Sequence, residues 1–262
     1  MPAPVIAHLA TAKRVGFIVP SSNTAVETLT LSILQSLQAN IIPLFTRLQV
    51  LTLSADAETT SQFTSEKLIT AAQLLADAGA DHIIWNGTSG MFTGGTLADD
   101  RRLAEDMTKA VGVPCSTNTI ATIEALEVLG IRDVSIAVPY TDEVTSKVQA
   151  FFEKGGFHVH AAVAQKPTPR NNLEIARCSE KDIKAVVRKS LVPDKTKAVL
   201  IACTNYPGTA YAADLELEQE QAGNEIRVLD SIAVSAWYAL REVGIKQTNN
   251  SLEVWGHLLN SL

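Results

Sequence analysis

Two segments of the 262-residue sequence share one design and differ at a position that limits their chemistry. His82–Ser89 and Ala198–Asn205 each consist of a short apolar run, then a small residue, then hydroxyl or amide side chains. Gly87 in the first segment therefore corresponds to Cys203 in the second. If the two segments face each other across a ligand site, a design with two thiols would have one on each side of the ligand. This protein has a thiol on one side only.

Cys203 is the strongest candidate for acid–base chemistry because it follows a predicted strand directly. A thiol at that point can give a proton to carbon or remove one, and the backbone amides that follow can tune its pKa, which is ordinarily about 8.5. Free cysteines are more often buried apolar residues, and this is our interpretation of Cys115 and Cys178.

Gly87 is followed by two hydroxyl residues, Thr88 and Ser89. A glycine after a buried strand commonly permits a tight turn, and the hydroxyls after it often cap the local backbone. The functional alternative is that Gly87 opens space for a substrate substituent, while Thr88 and Ser89 donate hydrogen bonds to a developing oxyanion.

A polar turn follows the first predicted strand, and two interpretations of it are compatible. Thr24 and Glu27 have the spacing of a capping box that starts a helix. Ser21, Ser22 and Asn23 could instead form a neutral anion cradle at the N-terminus of that helix.

Four further polar residues could reach the same place. Tyr140 follows Val138-Pro139 and presents a phenol, or it simply lies at the rim between two lobes. Asn172 precedes a predicted helix, where an asparagine often only caps the backbone. Thr204 and Asn205 follow the thiol directly. The five histidines lie at positions 8, 82, 158, 160 and 257. None of them has metal-ligand spacing with carboxylates or thiols, so we expect no metal site.

Composition excludes several classes of function. The net charge of −6, with no basic stripe, argues against nucleic acid as a partner. No stretch approaches the roughly 20 uncharged apolar residues that cross a bilayer, and Met1–Thr11 lacks the features of a secretory signal. We therefore expect a cytoplasmic protein that does not contact membranes. Three cysteines without CxxC spacing indicate free thiols rather than disulfides or zinc.

Strand and helix patterns alternate along the chain, which is typical of βαβ units and parallel sheets. The pattern then repeats: Val134–Pro139 resembles the opening strand at Val15–Pro20, and the strands and helices that follow come in the same order. Predicted strands lie at Ile41–Leu48, His82, Val113–Cys115, Phe157–Val163, Ala198 and Arg227–Leu229, and predicted helices at Thr24–Gln38, Ser65–Ala78, Glu180–Ser190 and Ile232–Val243.

The predicted fold class is α/β, with two similar Rossmann-like lobes of parallel strands related by a pseudo-twofold axis. Residues 1–118 form the first lobe, completed by a C-terminal helix within residues 232–262, and residues 119–231 form the second. Because ligands bind beyond the carboxyl ends of parallel strands, the loops after Pro20, Asn86, Pro139 and Cys203 should converge on one cleft between the lobes.

Five short motifs in this order resemble the aspartate/glutamate racemase superfamily, in the branch of maleate cis–trans isomerases and arylmalonate decarboxylases: Pro20–Thr24, Gly87–Ser89, Val138–Tyr140, Asn172 and Ala202–Thr204. The resemblance covers nearly the whole chain. In the family that the chain resembles, racemases and isomerases use one cysteine from each lobe. Decarboxylases of the family instead have Gly-Thr-Ser at the position of the first-lobe cysteine and keep only the second-lobe cysteine. Gly87–Ser89 is similar to the decarboxylase pattern, and the motifs at Pro20 and Tyr140 are similar to the isomerase pattern.

The resemblance implies an enzyme without a cofactor that acts on a small dicarboxylate. A homo-oligomer is the default expectation for a soluble enzyme. With one thiol, the predicted reaction is decarboxylation of a malonate-type acid, in which Cys203 protonates an enediolate held by Thr88 and Ser89. The predicted ligands of the retained carboxylate are Ser22, Asn23, Tyr140, Asn172, Thr204 and Asn205, with Arg47 and Arg170 as the candidate cations. The alternatives are an isomerase or racemase using Cys203 alone, and a non-catalytic ligand-binding protein.

Overall fold

The computed structural model describes residues 9–37, 40–50, 64–93, 95–246 and 253–262. Met1–His8 and the predicted helix end at Gln38 lie outside these ranges. Within them, the chain forms two four-stranded parallel sheets, which confirms the predicted fold class. No helix in the described residues is long and apolar enough to span a membrane.

The two sheets have the same strand order. The first is ordered β2-β1-β3-β4 and the second β6-β5-β7-β8, so each half of the chain begins on the second strand of its own sheet. This agreement confirms the two-lobe fold predicted from the repeated pattern. The strands are β1 Lys13–Pro20, β2 Ile41–Leu48, β3 His82–Trp85, β4 Cys115–Thr117, β5 Asp133–Val138, β6 His158–Ala164, β7 Ala198–Ile201 and β8 Arg227–Asp230.

Helices cover the sheets. The helices predicted at Ser65–Ala78 and Ile232–Val243 are observed one residue shorter or one residue earlier, at Ser65–Asp77 and Ser231–Glu242. The helix predicted at Glu180–Ser190 has these same bounds in the structure. The described α-helices are α1 Val26–Leu37, α2 Ser65–Asp77, α3 Leu97–Val111, α4 Asn118–Val128, α5 Asp142–Lys154, α6 Asn172–Ile175, α7 Glu180–Ser190, α8 Ala212–Gln221, α9 Ser231–Glu242 and α10 His257–Asn260. Short 3-10 turns lie at Ser89–Met91, Gly208–Tyr211 and Glu253–Trp255.

The inner strands β3 and β7 are buried at every residue. Strands of a parallel sheet covered on both faces are continuously apolar, and this explains why the sequence shows unbroken runs there rather than alternation. Both strands pair with the first strand of their half, with Val15 opposite His82 and Val134 opposite Ala198. Their carboxyl ends therefore emerge at equivalent places in the two sheets.

Helix α1 starts differently from the prediction. The Asn23 side-chain oxygen accepts the backbone N–H groups of Ala25 and Val26 at 2.9 and 3.0 Å, so asparagine caps the helix. The capping box predicted for Thr24 and Glu27 is therefore wrong. Glu27 instead pairs with Arg47 at 2.6 Å.

Helix α9 joins the two halves. It contacts α1 and β3 as well as α4 and β8. The Asn118 side-chain amide, at the start of α4, donates to the Ser231 carbonyl at 2.7 Å and to the Ser235 hydroxyl at 2.8 Å. Ser235 in turn donates to the Asn86 side-chain oxygen at 3.0 Å. A buried polar chain thus links the strand ends of both sheets, while the division of the chain at residue 118 stays our interpretation.

Candidate active site

Loops at the carboxyl ends of β1, β3, β5 and β7 line a cleft with about 330 Å³ of unfilled space, part of it open to solvent. Parallel strands commonly place ligand sites at this edge because the loops there are free to carry side chains. The lining residues are Pro20, Asn23, Val50, Trp85, Gly87, Thr88, Ser89, Phe92, Tyr140, Asn172, Cys203, Thr204 and Asn205. The predicted catalytic and substrate-binding residues are all among them except Ser22, whereas Ser21, Arg47 and Arg170, which were considered as anion ligands, are not.

Ser22 lies behind the cleft rather than in its wall. Its hydroxyl donates to the Val50 carbonyl at 2.8 Å and accepts the Asn172 side-chain amide at 2.6 Å. The Ser21 hydroxyl also bonds to the Val50 backbone, accepting its N–H at 3.0 Å. The expected anion cradle of serine hydroxyls is therefore not formed, because both hydroxyls hold the end of β2 in place. In the structure Ser22 holds the side chain of Asn172, which does line the cleft.

Cys203 is a buried thiol that remains protonated near neutral pH. The residue is 2% exposed, and this burial raises the pKa of the thiol to about 11. The Tyr140 hydroxyl and the backbone N–H groups of Asn205 and Tyr206 act in the opposite direction, because they stabilise a thiolate. Such a group can donate a proton to a bound molecule and then be stabilised in its anionic form.

The other two cysteines lie outside the cleft. Both are half-buried rather than fully buried as expected. Burial raises the pKa of each, to about 11 for Cys115. Cys178 accepts the Gln165 side-chain amide at 3.3 Å.

The hydroxyl groups that line the cleft are arranged as donors. Ser89 accepts the Trp85 indole N–H at 3.3 Å, and Thr204 accepts the Asn23 side-chain amide at 3.2 Å. Thr88 and Tyr140 share one hydrogen bond at 3.0 Å. Ser89 and Thr204 accept these bonds and keep their own protons to donate, whereas in the Thr88–Tyr140 pair only one of the two hydroxyls keeps a proton for a ligand. These protons can together bind a carboxylate without a cation.

Asn205 acts as a clamp between loops. Its side-chain oxygen accepts the N–H groups of Thr24 and Ala25 at 3.0 and 3.3 Å, and its amide donates to the Asn172 carbonyl at 2.5 Å. The Asn205 side chain is thus engaged by three backbone groups of the protein, and a direct contact from it to a ligand stays a prediction. By contrast, the Asn172 side-chain oxygen has no hydrogen-bond partner among the described residues and is buried in the wall of the cleft.

Gly87 does not open space for a substituent. A Cβ atom built on it would lie 2.3 Å from Cζ2 and 2.6 Å from Cε2 of Trp85. The glycine has no positive φ angle, so the backbone conformation does not require it. Gly87 is therefore needed for the indole ring of Trp85, which takes the position that a side chain would occupy opposite Cys203.

The two candidate cations do not line the cleft. Arg47 donates to the carbonyls of Ser21 and Asn23 and pairs with Glu27 at 2.6 Å. The side chain of Arg170 is 85% exposed and pairs with Glu174 at 2.6 Å. Within the described ranges, no group of three His, Cys, Asp or Glu side chains could hold a metal ion. The cleft therefore offers neutral donors and one thiol.

Several apolar lining residues were not assigned from the sequence: Pro20, Val50, Trp85 and Phe92. A signal for Trp85 was present, because residues two apart in a strand point to the same face and a glycine at 87 leaves room beside a tryptophan at 85. The Phe92 ring packs against Tyr140, with ring centroids 5.6 Å apart. These side chains make one part of the cleft apolar.

The fold and the cleft define a two-lobed α/β protein with one neutral thiol and a set of hydroxyl donors suited to a small carboxylic acid. Residues 15–254 match the family described as arylmalonate decarboxylase. The chain belongs to this family of enzymes.

Individual relatives point to two activities. An arylmalonate decarboxylase from Bordetella bronchiseptica is 35% identical over 86 residues, which are 33% of this chain and 35% of that enzyme. A maleate isomerase from Geobacillus stearothermophilus is 24% identical over 89% of this chain and 92% of that enzyme. A solved maleate cis–trans isomerase from Nocardia farcinica, with a covalently bound succinylcysteine intermediate, has a TM-score of 0.83 at 21% identity and covers 96% of this chain and 99% of that chain.

Proposed function

We propose that the protein decarboxylates a small malonate-type dicarboxylic acid, with Cys203 as the proton donor. The observation that carries this proposal is the combination of one buried, protonated thiol with an indole ring at the equivalent position of the other lobe. An acid that protonates carbon from one face needs one such group. The family to which the chain belongs is described by the same reaction.

The reaction begins with the dianion of the acid in the cleft. One carboxylate would lie on the apolar side formed by Val50, Trp85 and Phe92, where its charge is poorly solvated. Breaking the bond between this carboxylate and the α-carbon releases carbon dioxide and leaves both electrons in an enediolate. The apolar wall therefore favours the loss of charge from that side of the substrate.

The retained carboxylate becomes the enediolate, whose oxygens carry the developing charge. Hydroxyl protons from Ser89 and Thr204 would stabilise it, together with the one proton of the Thr88–Tyr140 pair that is not used within the pair. The Cys203 S–H bond then breaks, its proton goes to the α-carbon, and a thiolate remains. This thiolate is stabilised by the Asn205 and Tyr206 amides until it regains a proton from water.

Isomerisation of a small dicarboxylate is the second candidate, favoured by the TM-score of 0.83 to a maleate cis–trans isomerase. That reaction, by a cysteine route, requires a thiolate that adds to the double bond and a separate acid that protonates the neighbouring carbon. Gly87 supplies neither group. A thiol whose pKa is raised to about 11 also favours proton donation over nucleophilic addition.

The test compares Cys203→Ala with Cys178→Ala, a half-buried cysteine outside the cleft. Carbon dioxide release is followed over a series of 2-substituted malonates, in deuterium oxide. We expect the wild type and the Cys178 variant to give a product with one solvent deuterium on the α-carbon, and the Cys203 variant to lose about 10²–10⁴-fold in kcat.

Three outcomes would reject the proposal. Unchanged turnover by Cys203→Ala would exclude the thiol as proton donor. Solvent deuterium in a dicarboxylate that keeps all its carbons would favour isomerisation or racemisation. Tight binding of malonates without any turnover, unaffected by loss of the thiol, would indicate a binding protein.

A further inference from the structure

We propose that Trp85 is the residue that determines substrate size, and that its indole ring restricts the protein to malonates with a small aliphatic 2-substituent. This inference rests on the proposed decarboxylation and adds a substrate class to it. It concerns a side chain that takes no part in proton transfer or in binding the retained carboxylate.

The indole ring is held firmly in the cleft wall. Trp85 is 2% exposed, and its strand position pairs with Ile18 on one side and Thr117 on the other. The ring N–H donates to the Ser89 hydroxyl at 3.3 Å. Backbone pairing and the ring hydrogen bond together leave the ring little freedom to move aside for a ligand.

The ring occupies space that Gly87 makes available. Three ring atoms, Cζ2, Cε2 and Cη2, would lie 2.3, 2.6 and 2.9 Å from a Cβ atom at Gly87. No side chain of ordinary size coexists with this ring position. The space left by the missing Cβ of Gly87 is therefore occupied by the Trp85 ring and not by a substrate substituent.

Trp85 also separates two spaces. One side of the residue lines the cleft with Cys203, and it also lines a neighbouring cavity of about 600 Å³ together with Leu68 and Leu103. Ser89 lines both spaces as well. Removing the indole would open the cleft towards this space, whose lining combines Leu68 and Leu103 with polar residues that include Asp99 and Asp100.

The size of the cleft sets the consequence for the substrate. The free volume inside the cleft is small: about 20 Å³ in the described structure, which is room for one or two water molecules. A methyl or ethyl group fits the remaining volume better than an aromatic ring. The opposite possibility is that the indole serves as a stacking platform for an aryl substituent, and the two possibilities predict opposite effects of truncation.

The experiment measures kcat/KM for 2-methylmalonate and 2-phenylmalonate in the wild type, Trp85→Leu and Trp85→Phe. We expect the wild type to prefer the methyl compound. Trp85→Leu should raise the ratio of phenyl to methyl turnover by about 10-fold or more, the scale on which apolar pockets discriminate by size. Trp85→Phe should give an intermediate ratio of phenyl to methyl turnover. This variant tests the proposal if the leucine variant folds poorly.

Trp237→Phe is the matched control, because Trp237 is also buried but does not line the cleft. Its ratio of phenyl to methyl turnover should equal that of the wild type. An unchanged ratio in both Trp85 variants, or a selective loss of the phenyl compound, would overturn the proposal.

Failure of the proposed function can be told apart from failure of this inference. If the wild type releases carbon dioxide from neither acid, the decarboxylase proposal fails. The dissociation constants of the same two acids, measured by titration calorimetry, then test Trp85 alone. Selective tightening of 2-phenylmalonate binding in Trp85→Leu would still support it, and equal affinities in all variants would refute it.

Discussion

At the scale of single residues, the chemistry depends on a protonation state. Burial keeps Cys203 neutral far beyond the pH at which an exposed thiol ionises, and Tyr140 and two backbone amides are ready to stabilise the thiolate once it forms. The Tyr140 hydroxyl itself is buried, and its pKa is raised well above the ordinary value, chiefly by desolvation. Both groups therefore carry their protons across the physiological range.

This state predicts the pH dependence of the reaction. With Cys203 as the proposed proton donor, the active form is the protonated thiol, whose pKa is raised to about 11, and kcat/KM should therefore stay level between about pH 7.5 and 9.5. The rate should decline only as the pH approaches 11. A descending limb centred near 8.5, measured in steady-state kinetics and absent from the unfolding profile, would contradict a desolvated thiol.

Because Gly87 and Trp85 are in contact, the effects of substitutions at these two positions on the free energy of unfolding should be strongly non-additive. Gly87→Ala should lower the free energy of unfolding by about 1–3 kcal/mol, since the new methyl group overlaps the ring. In a Trp85→Leu background the same change should cost much less, as denaturant unfolding of the four proteins would measure. Gly95→Ala is the control, because its Cβ would meet Asp99 at an ordinary 3.6 Å. Additive effects would refute the contact.

At the scale of secondary-structure elements, the site is held by side chains that connect loops from both halves. Asn205 follows β7 and binds the start of α1 and the start of α6, so it joins three elements. Asn23 both caps α1 and donates to Thr204. The amides near the cleft therefore position the hydroxyls and the thiol more than they contact a substrate.

Asn205→Ala should lower the free energy of unfolding by roughly 1–3 kcal/mol, because it leaves the Thr24 N–H without its partner and removes one of the two hydrogen bonds made by the Ala25 N–H and by the Asn172 carbonyl. Asn224→Ala is the matched control. Its exposed side chain makes one long hydrogen bond of 3.4 Å to Gln219, so we expect almost no loss. Equal losses in urea unfolding would exclude the clamp.

At the scale of the whole molecule, a buried carboxyl group lies where the second sheet meets helix α9. Asp230 accepts hydrogen bonds from the Thr209 hydroxyl and from the Ile232 N–H at 2.8 Å, and its other oxygen has no hydrogen-bond partner in the described part of the chain. Burial raises its pKa from 3.8 to about 7. Since α9 contacts both halves, ionisation of this group bears on the stability of the entire fold.

The sign of this effect follows from proton binding. Between pH 4 and 7 the folded state holds a proton on Asp230 that the unfolded state has lost, so the contribution of Asp230 to stability falls as the pH rises. About three pH units at about 1.4 kcal/mol each set an upper bound of roughly 4 kcal/mol. Relative to the wild type, Asp230→Asn should therefore become more stable from pH 4.5 to 7.5 in denaturant unfolding. A pH-independent difference would contradict the shift.

Much of the architecture could be predicted from local patterns. Continuous apolar runs followed by polar turns predicted the parallel strands, and the repeat at Val134–Pro139 predicted two sheets with matching order. The bounds of helices were less predictable. Helix α1 starts at Val26 because Asn23, rather than Thr24, caps it, and two equally good capping residues in a row cannot be ranked without the fold.

The sequence by itself determined the two-lobed class, the place of the cleft at the strand ends and the presence of one thiol there, because these follow from periodicity and residue type. Only the tertiary structure decided which polar groups remain available. Asn205 and Ser22 are used by backbone partners, Arg47 is paired, and Trp85 fills the space beside Gly87. Hydrogen-bond partners and excluded volume come from residues far apart in the chain, so no local pattern contains them.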